Sequence, residues 1–132
     1  ANIGPWTYLR PGNVLGEESK AGAFVEMKKA HIGNGTKVPH LSYMGDADLG
    51  EHTNIGGGTI TANYDGVHKN HTTIGSNAHV GAGNLFVAPV TVGDGVTTGA
   101  GSVVRHDVPA DSMVYSENTQ HVVEGWKPAW ER

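Results

Sequence analysis

One histidine of the chain, His40, lies in a sequence context that suits acid–base chemistry. The run from Phe24 to Lys29 precedes it by about one structural repeat, and stacking of the two segments would bring Glu26 and Lys28 close to the imidazole. A carboxylate beside an imidazole fixes the tautomer and stabilises the imidazolium. His40 is therefore a candidate general base, and a solvated polar face is the alternative interpretation.

Cations in the same neighbourhood could bind a phosphate group. Lys28 and Lys29 lie in the run before His40, and Arg10 lies one repeat earlier. Charge-assisted hydrogen bonds from such groups to phosphate oxygens are short and strong. The three side chains are candidates for binding an anionic substrate.

The composition excludes several other kinds of chemistry. The chain has no cysteine, so a thiol nucleophile and a cysteine-ligated zinc site are excluded. The eight histidines show no HExxH spacing, and we predict no metal site. Three histidines from two subunits could still bind zinc at an interface between them, and sequence spacing cannot test that alternative. The net charge of -4 gives no support to nucleic-acid or anionic-membrane binding.

The start of the sequence and its lack of long apolar stretches bear on where the protein is located in the cell. Residues 1–11 lack the basic region and apolar run of a signal peptide, and no stretch approaches a membrane span. We therefore expect a cytoplasmic protein. The chain opens without methionine and in the middle of a repeat, so we also expect it to be part of a longer protein.

A period of six residues organises most of the chain. An aliphatic residue followed by glycine recurs along the sequence: Ile3-Gly4, Leu15-Gly16, Ile32-Gly33, Met44-Gly45, Leu49-Gly50, Ile55-Gly56, Ile74-Gly75, Val80-Gly81 and Val92-Gly93. This period fits neither a 3.6-residue helix nor simple alternation in a sheet. It fits short strands that end at glycine-permitted corners and direct one aliphatic side chain per hexapeptide to a common axis.

Three such faces predict a triangular prism with eighteen residues per coil. We expect about six coils over residues 1–109, an all-β parallel β-helix. The phase slips by one residue between Met27 and Ile32, by one between Met44 and Leu49, and by an insertion after Thr61. A glycine-rich β-sandwich is the alternative, but it predicts turns every 8 to 12 residues.

Two segments depart from the repeat. Residues 62–73 are polar and rich in turn-forming residues, so we expect a loop extruded from a corner, with a solvated insertion of no function as the alternative. Residues 110–132 form a tail that ends with Trp126 and Trp130. Two tryptophans are costly to leave in water, so we expect the tail to pack on its own coils or on another subunit.

Longer strings of sequence resemble one enzyme family. They are Leu9-Arg10-Pro11-Gly12, Phe24-Val25-Glu26-Met27-Lys28, His40-Leu41-Ser42-Tyr43-Met44-Gly45-Asp46, Asn54-Ile55-Gly56-Gly57-Gly58-Thr59, Asn63-Tyr64-Asp65-Gly66 and Glu124-Gly125-Trp126. With these strings the chain resembles, over essentially its whole length, the C-terminal acetyltransferase domain of the bacterial bifunctional glucosamine-1-phosphate N-acetyltransferase / N-acetylglucosamine-1-phosphate uridylyltransferase.

The resemblance implies a left-handed β-helix, a homotrimer with active sites between subunits, and transfer of acetyl from acetyl-CoA to the amine of glucosamine 1-phosphate. By position it implies that His40 is the general base, that Glu26 orients it, and that the Gly57 N–H stabilises the oxyanion. The implied sugar-phosphate residues are Arg10, Lys28, Tyr43, Asn54 and Lys69. The implied acetyl-CoA residues are Gly57, Asn63, Tyr64, Ala82 and Ala100.

The sequence departs from the family pattern at three positions. Gly57 replaces the usual alanine, Ala82 stands where many members have serine, and Glu117 falls about where an arginine approaches the coenzyme.

The resemblance also implies an upstream nucleotidyltransferase domain, and Mg²⁺ would belong to that domain alone. Two alternatives stay open: a related acyltransferase with another acceptor, and a structural or ice-binding β-helix without catalysis.

Overall fold

The computed structural model describes all 132 residues of the chain. It contains sixteen strands, namely β1 (Asn2–Ile3), β2 (Tyr8–Leu9), β3 (Val14–Leu15), β4 (Lys20–Ala23), β5 (Glu26–Ile32), β6 (Lys37–His40), β7 (Tyr43–Leu49), β8 (Asn54–Ile55), β9 (Ile60–Ala62), β10 (Thr72–Ile74), β11 (His79–Val80), β12 (Leu85–Val87), β13 (Val90–Val92), β14 (Thr97–Thr98), β15 (Val103–Val104) and β16 (Met113–Val114). A short 3-10 helix, Ala129–Glu131, follows them. None of the helical structure is long and apolar enough to cross a membrane.

The strands form the three faces of a prism. Face 1 is a parallel sheet in the order β1-β4-β6-β8-β11-β14-β16. Face 2 contains β2, β9, β12 and β15, face 3 contains β3, β10 and β13, and the long strands β5 and β7 run around the corner that joins them. The fold is thus the parallel β-helix that the sequence period predicts, and it is left-handed, as the family resemblance implies.

The register along face 1 gives the length of each coil. Paired residues are Asn2 and Lys20, Lys20 and Lys37, Lys37 and Asn54, Asn54 and His79, His79 and Thr97, and Thr97 and Met113. The second and third coils are one residue shorter than the first, as the two phase slips predict. Each shortened corner is turned by a residue with positive φ, Lys29 at 47° and Asp46 at 48°.

The inward positions of the hexapeptides form the core. Their side chains are buried in the coils between the first and the last, including Met27, Met44, Ile55, Phe86 and Val104, and Val114 of the last coil is partly buried. The first coil differs because it pairs with a coil on one side only. Ile3 is 49% exposed there, although the pattern predicts it to be inward.

Small polar side chains fill the second inward position near the corners. Thr53 donates to the carbonyl of Gly75, Thr59 to that of Gly56 and Ser102 to that of Gly99. Buried hydroxyl groups are costly unless they are hydrogen-bonded. These residues therefore stabilise the corners from inside, where the chain changes direction and the ladder between coils is interrupted.

The two segments outside the repeat have different bounds from those expected. The loop lies between β9 and β10, so Ala62, Thr72 and Thr73 belong to strands. The β-helix continues past residue 109, because β16 pairs with β14 on face 1. The sequence hides this coil because it is shortened: Val92 is bridged to Val108 on face 3, and the aliphatic residues no longer fall six apart.

The tail after β16 leaves large apolar side chains in water within the single chain. Trp126 is 62% and Trp130 85% exposed, and Val122 and Val123 are also exposed. Arg132 lies with its guanidinium carbon 5.7 Å from the centre of the Trp126 ring and donates to the Lys127 carbonyl. Residues 122–132 of the tail are thus ordered locally but are not packed on the core of their own chain.

Candidate active site

Four of the predicted site residues lie in one column at the corner between faces 1 and 2. His40 ends β6, and Gly57, Ala82 and Ala100 take the same place in the next three coils. Gly83 donates to the Gly57 carbonyl and Gly101 to the Ala82 carbonyl, each at 2.8 Å. The coil-to-coil ladder therefore aligns residues that are far apart in sequence. We call these four residues the corner column.

Backbone N–H groups of the corner column are free within the chain. Those of Gly57, Ala82 and Ala100 donate to no acceptor. Unpaired backbone donors are uncommon in folded proteins unless water or a ligand satisfies them. The column therefore presents a row of hydrogen-bond donors along one edge of the prism.

The corner between faces 3 and 1 shows why the donors of the corner column stay free. There the side chains of Asn34, Ser76 and Asp94 cap backbone N–H groups of the neighbouring coil. They accept from the N–H of Glu17 at 2.8 Å, of Glu51 at 2.9 Å and of Ser76 at 2.7 Å, respectively. Glycine and alanine in the corner column carry no acceptor that could do the same.

The imidazole of His40 lies directly against Gly57. A Cβ atom added to Gly57 would lie 2.7 Å from His40 Cδ2 and 3.2 Å from Nε2. The ring makes no side-chain hydrogen bond within the chain and His40 is exposed. A titratable nitrogen and a free backbone N–H are thus adjacent, as a base and an oxyanion donor would need to be.

Glu26 does not pair with His40, contrary to the expectation from the sequence. Its carboxylate lies 3.5 Å from Arg10 Nη1, and both side chains are 41% exposed. Glu26 is on face 2, in register with Tyr8 and Tyr43, whereas His40 ends a strand of face 1. The corner separates the two side chains, so within one chain Glu26 neutralises Arg10 instead of orienting the imidazole.

A connected polar cluster lies on face 2, beyond the corner column. Lys28 Nζ lies 3.2 Å from Asp46 Oδ2, and Asn63 Nδ2 donates to the same oxygen at 2.7 Å and to the Tyr43 hydroxyl at 3.2 Å. We call Lys28, Tyr43, Asp46 and Asn63 the face 2 cluster. Three of its members are predicted site residues. Asp46 belongs to one of the strings that resemble the family, but the sequence assigns it no role.

The carboxyl group of Asp46 has a lowered pKa. Burial by itself would raise this pKa, but the hydrogen bonds from Asn63 and Lys28 favour the ionised form. The charges of Lys28 and Lys29 act in the same direction and bring the pKa below its ordinary value. Asp46 therefore stays a carboxylate in moderately acidic solution.

Gly45 lets the face 2 cluster close. A Cβ atom at this position would collide with the phenol ring of Tyr43 and would lie 2.6 Å from Asn63 Nδ2. Gly45 is buried, and its own N–H donates to Thr61 Oγ1 at 2.8 Å. The absence of a side chain here is what allows Tyr43 and Asn63 to meet.

The extruded loop holds the remaining predicted residues. Tyr64 and Lys69 form an antiparallel bridge, and Lys69 Nζ lies 4.3 Å from the centre of the Tyr64 ring. Hydrogen bonds from the backbone of His68 and Val67 lower the pKa of Asp65. The Asp65 carboxylate thereby stabilises the tip of the loop, and the loop joins the face 2 cluster through Asn63.

Asn54 does not join the cluster. It is exposed on β8 of face 1, next to Lys37 and His79, and so points away from the face 2 residues. The acetyl-CoA candidates lie in two places, with Asn63 and Tyr64 near face 2 and the others along the corner column. One chain alone therefore does not bring all predicted site residues together.

A second histidine-containing cluster lies on face 3. His31 Nδ1 and His71 Nε2 each lie 3.1 Å from a different oxygen of Asp48, and all three side chains are about half exposed. No group of three or more histidine, cysteine or acidic residues has a geometry that could hold a metal ion. The cluster ties the end of the loop to face 3.

The tail passes close to the corner column. Ser116 Oγ accepts from the Val103 N–H at 2.9 Å, and Asn118 Nδ2 donates to the Gly101 carbonyl at 3.2 Å. Glu117 lies between them and is exposed. Glu117, which departs from the family pattern, thus lies near the coil that contains Ala100.

The single cavity of the chain lies elsewhere. It has a volume of about 460 Å³ and is lined by residues 103–109 and 112–114, at the C-terminal end of the prism. The corner column and the face 2 cluster are instead on an open surface. A second surface would be needed to enclose a substrate there.

The repeat and the fold define the class of protein. The family model "Bacterial transferase hexapeptide (six repeats)" matches residues 71–106, which lie entirely within the β-helix. The chain is thus a β-helix built from hexapeptide repeats, and residues 71–106 are similar to those of that family.

The chain is also similar to an individual known protein, over nearly its whole length. The chain is 95% identical over 126 residues to "Bifunctional protein GlmU" of Bifidobacterium adolescentis; the match covers 96% of the chain and 27% of that relative. The chain therefore spans about a quarter of the length of the relative that it matches. The family resemblance seen in the sequence motifs is confirmed.

Two solved structures share the fold over 84% of the chain, each with a TM-score of 0.76 and 26% identity. One is the acetyltransferase domain of PglB from Neisseria gonorrhoeae in complex with acetyl coenzyme A, of which 52% is covered. The other is PerB from Caulobacter crescentus in complex with CoA and GDP-perosamine, of which 51% is covered.

We predict that Asp46→Asn removes a pH-dependent contribution to stability. Folding lowers the pKa of this carboxyl, so its contribution is complete above the ordinary aspartate pKa of about 3.9 and is lost as pH falls through the lower value of the folded state. Urea unfolding at several pH values should show the two proteins converging in stability on the acid side. A difference that stays constant from neutral to acid pH would contradict this prediction.

Proposed function

We propose that the chain transfers the acetyl group of acetyl-CoA to the amine of glucosamine 1-phosphate, giving N-acetylglucosamine 1-phosphate. The observation that carries the proposal is the contact between the His40 imidazole and Gly57, whose N–H is free. The similarity to GlmU supports the same reaction. The product would feed the synthesis of UDP-N-acetylglucosamine and of the cell wall in the cytoplasm.

In this mechanism His40 accepts a proton from the ammonium group of the substrate, and the freed amine attacks the thioester carbonyl. The Gly57 N–H stabilises the oxyanion that forms, and the thiolate of CoA leaves. The nitrogen loses a second proton as the intermediate collapses, and the departing CoA sulfur takes up a proton. No covalent intermediate on the protein is needed. A positioned base contributes about 10² to 10⁴-fold to the rate, and preorganised donors at an oxyanion contribute as much or more.

The sugar phosphate would be held by cations around the face 2 cluster. Arg10 is 41% exposed and makes only a 3.5 Å contact with Glu26, so it can turn toward a phosphate. Lys28 is fixed by Asp46, and Lys69 lies on the loop. Tyr43 and Asn54 would contribute polar contacts from the two sides of the corner.

The coenzyme would lie along the corner column and reach the loop. Its amide groups can accept from the free N–H groups of Ala82 and Ala100, and Asn63 and Tyr64 lie at the base of the loop. The acetyl coenzyme A and CoA complexes of the two solved structures support a coenzyme of this type. The chemistry requires no metal, and Mg²⁺ would serve only a nucleotidyltransferase domain outside this chain.

We further propose that the active chain is a homotrimer with sites between subunits. Asn54 and the face 2 cluster lie on different faces, and the site is open on one side. The exposed Trp126 and Trp130 of the tail provide apolar surface that a neighbouring subunit would bury. Native mass spectrometry should give three copies, and a monomer at micromolar concentration would contradict this arrangement.

We predict that His40→Ala lowers kcat by about 10²- to 10⁴-fold, because the amine loses its base. The measurement is release of CoA thiol from acetyl-CoA with glucosamine 1-phosphate as acceptor. His52→Ala is the matched control, since His52 is an exposed corner histidine on another edge of the prism. It should retain wild-type activity.

Two outcomes would contradict the assignment in different ways. A kcat of His40→Ala within threefold of wild type at neutral pH would show that His40 is not the base. A wild-type chain that releases thiol with serine, tetrahydrodipicolinate or another sugar, but not with glucosamine 1-phosphate, would identify a related acyltransferase with a different acceptor.

We predict that Ala82→Ser lowers the KM for acetyl-CoA. A hydroxyl at this exposed place in the corner column would restore the contact that many members of the family have. One neutral hydrogen bond corresponds to about a two- to tenfold change. Ala110→Ser is the control, because Ala110 is exposed near another corner. An unchanged KM in Ala82→Ser would place the coenzyme elsewhere. A fall in kcat alongside would show that the hydroxyl instead caps the Gly57 N–H, as Ser76 caps that of Glu51.

A further inference from the structure

Asp46 occupies the centre of the face 2 cluster. It lies on β7, and its side chain and that of Lys28 are each only 13% exposed. One oxygen, Oδ2, accepts both from Lys28 Nζ at 3.2 Å and from Asn63 Nδ2 at 2.7 Å. A single atom therefore connects a side chain of β5 with one at the base of the loop.

The two groups that Asp46 binds belong to opposite sides of the proposed reaction. Lys28 is one of the cations for the sugar phosphate, whereas Asn63 leads into the loop and is a coenzyme candidate. Neither of them would be held in place by the coil-to-coil ladder alone, since the ladder fixes the backbone and leaves long side chains free. Lysine in particular loses much rotamer freedom when it is held in one geometry.

We infer that Asp46 is a positioning residue that sets Lys28 and Asn63 in register with each other and so couples the two substrates of the proposed acetyl transfer. This inference rests on the proposed function. Asp46 itself need not touch either substrate, since both of its hydrogen bonds are to protein groups. Its role is to keep two binding side chains at a fixed separation.

The charge of Asp46 matters as well as its shape. Lys28 lies among Arg10 and Lys29, so without a carboxylate it would be repelled by like charges and would turn toward water. Hydrogen bonds that involve an ionised partner are about twice as strong as neutral ones. The carboxylate therefore holds the ammonium group on face 2, close to Tyr43, while the phosphate can still approach it from solvent.

The test is the variant Asp46→Asn in the assembled protein, with Asp48→Asn as its matched control. Asp48 follows on the same strand and also contacts two side chains, His31 and His71, but it lies on face 3. We expect Asp46→Asn to raise the KM for both acetyl-CoA and glucosamine 1-phosphate and to lower kcat/KM by about ten- to a hundredfold. Asp48→Asn should leave all three constants within about twofold.

A double-mutant cycle separates positioning from loss of fold. In the variants Asp46→Asn, Asn63→Ala and the combination of both, the effects on kcat/KM should be less than additive, because either change already breaks the shared contact. Additive effects would overturn the inference. So would kinetic constants of Asp46→Asn within twofold of wild type, or a rise in only one of the two KM values.

Binding measurements distinguish failure of this inference from failure of the proposed function. Calorimetry with acetyl-CoA alone and with glucosamine 1-phosphate alone should show weaker binding of both ligands to Asp46→Asn than to Asp48→Asn. If the wild-type chain binds neither ligand, the proposed function fails and the inference falls with it. If the wild type binds both and the variant binds them equally well, only the inference is overturned.

Discussion

The main-chain hydrogen-bond ladder between successive coils is the constraint on which the rest of the structure depends. Each short strand pairs in parallel with its counterpart one coil away, and residues about 17 to 25 positions apart become neighbours. Isolated strands of two residues would not be stable, but stacking pairs every face with the next. The corner column and the face 2 cluster both follow from this register, since their members share faces and corners and not local sequence.

The corners of the prism differ in whether side chains cap their backbone N–H groups. Where side chains such as Asn34 and Asp94 cap the backbone of the neighbouring coil, the corner is closed and only structural. Where glycine and alanine take the same place, the donors remain available. The same backbone geometry thus yields either a capped edge or an edge with free N–H groups, and the outcome depends on whether a corner side chain carries a hydrogen-bond acceptor.

The sequence predicts well which side chains point into the prism, but it predicts the contacts of the outward-pointing side chains only in part. One aliphatic side chain per hexapeptide points to the axis, so Met27, Met44 and Phe86 could be placed from periodicity alone. Outward contacts depend on the relative length of neighbouring coils, which is why the Glu26 contact with Arg10 and the central place of Asp46 could not be derived. The repeat period also did not predict the last coil, because this coil is shortened and its aliphatic residues no longer fall six apart.

The strands of the first coil are short. Strands β1, β2 and β3 are each two residues long, and they pair with the second coil on one side. An exposed strand edge has unpaired backbone N–H and C=O groups. It can therefore pair with a strand of another copy of the chain. Edges this short, interrupted by Pro5 and Pro11, offer few consecutive backbone groups to any strand that pairs with them.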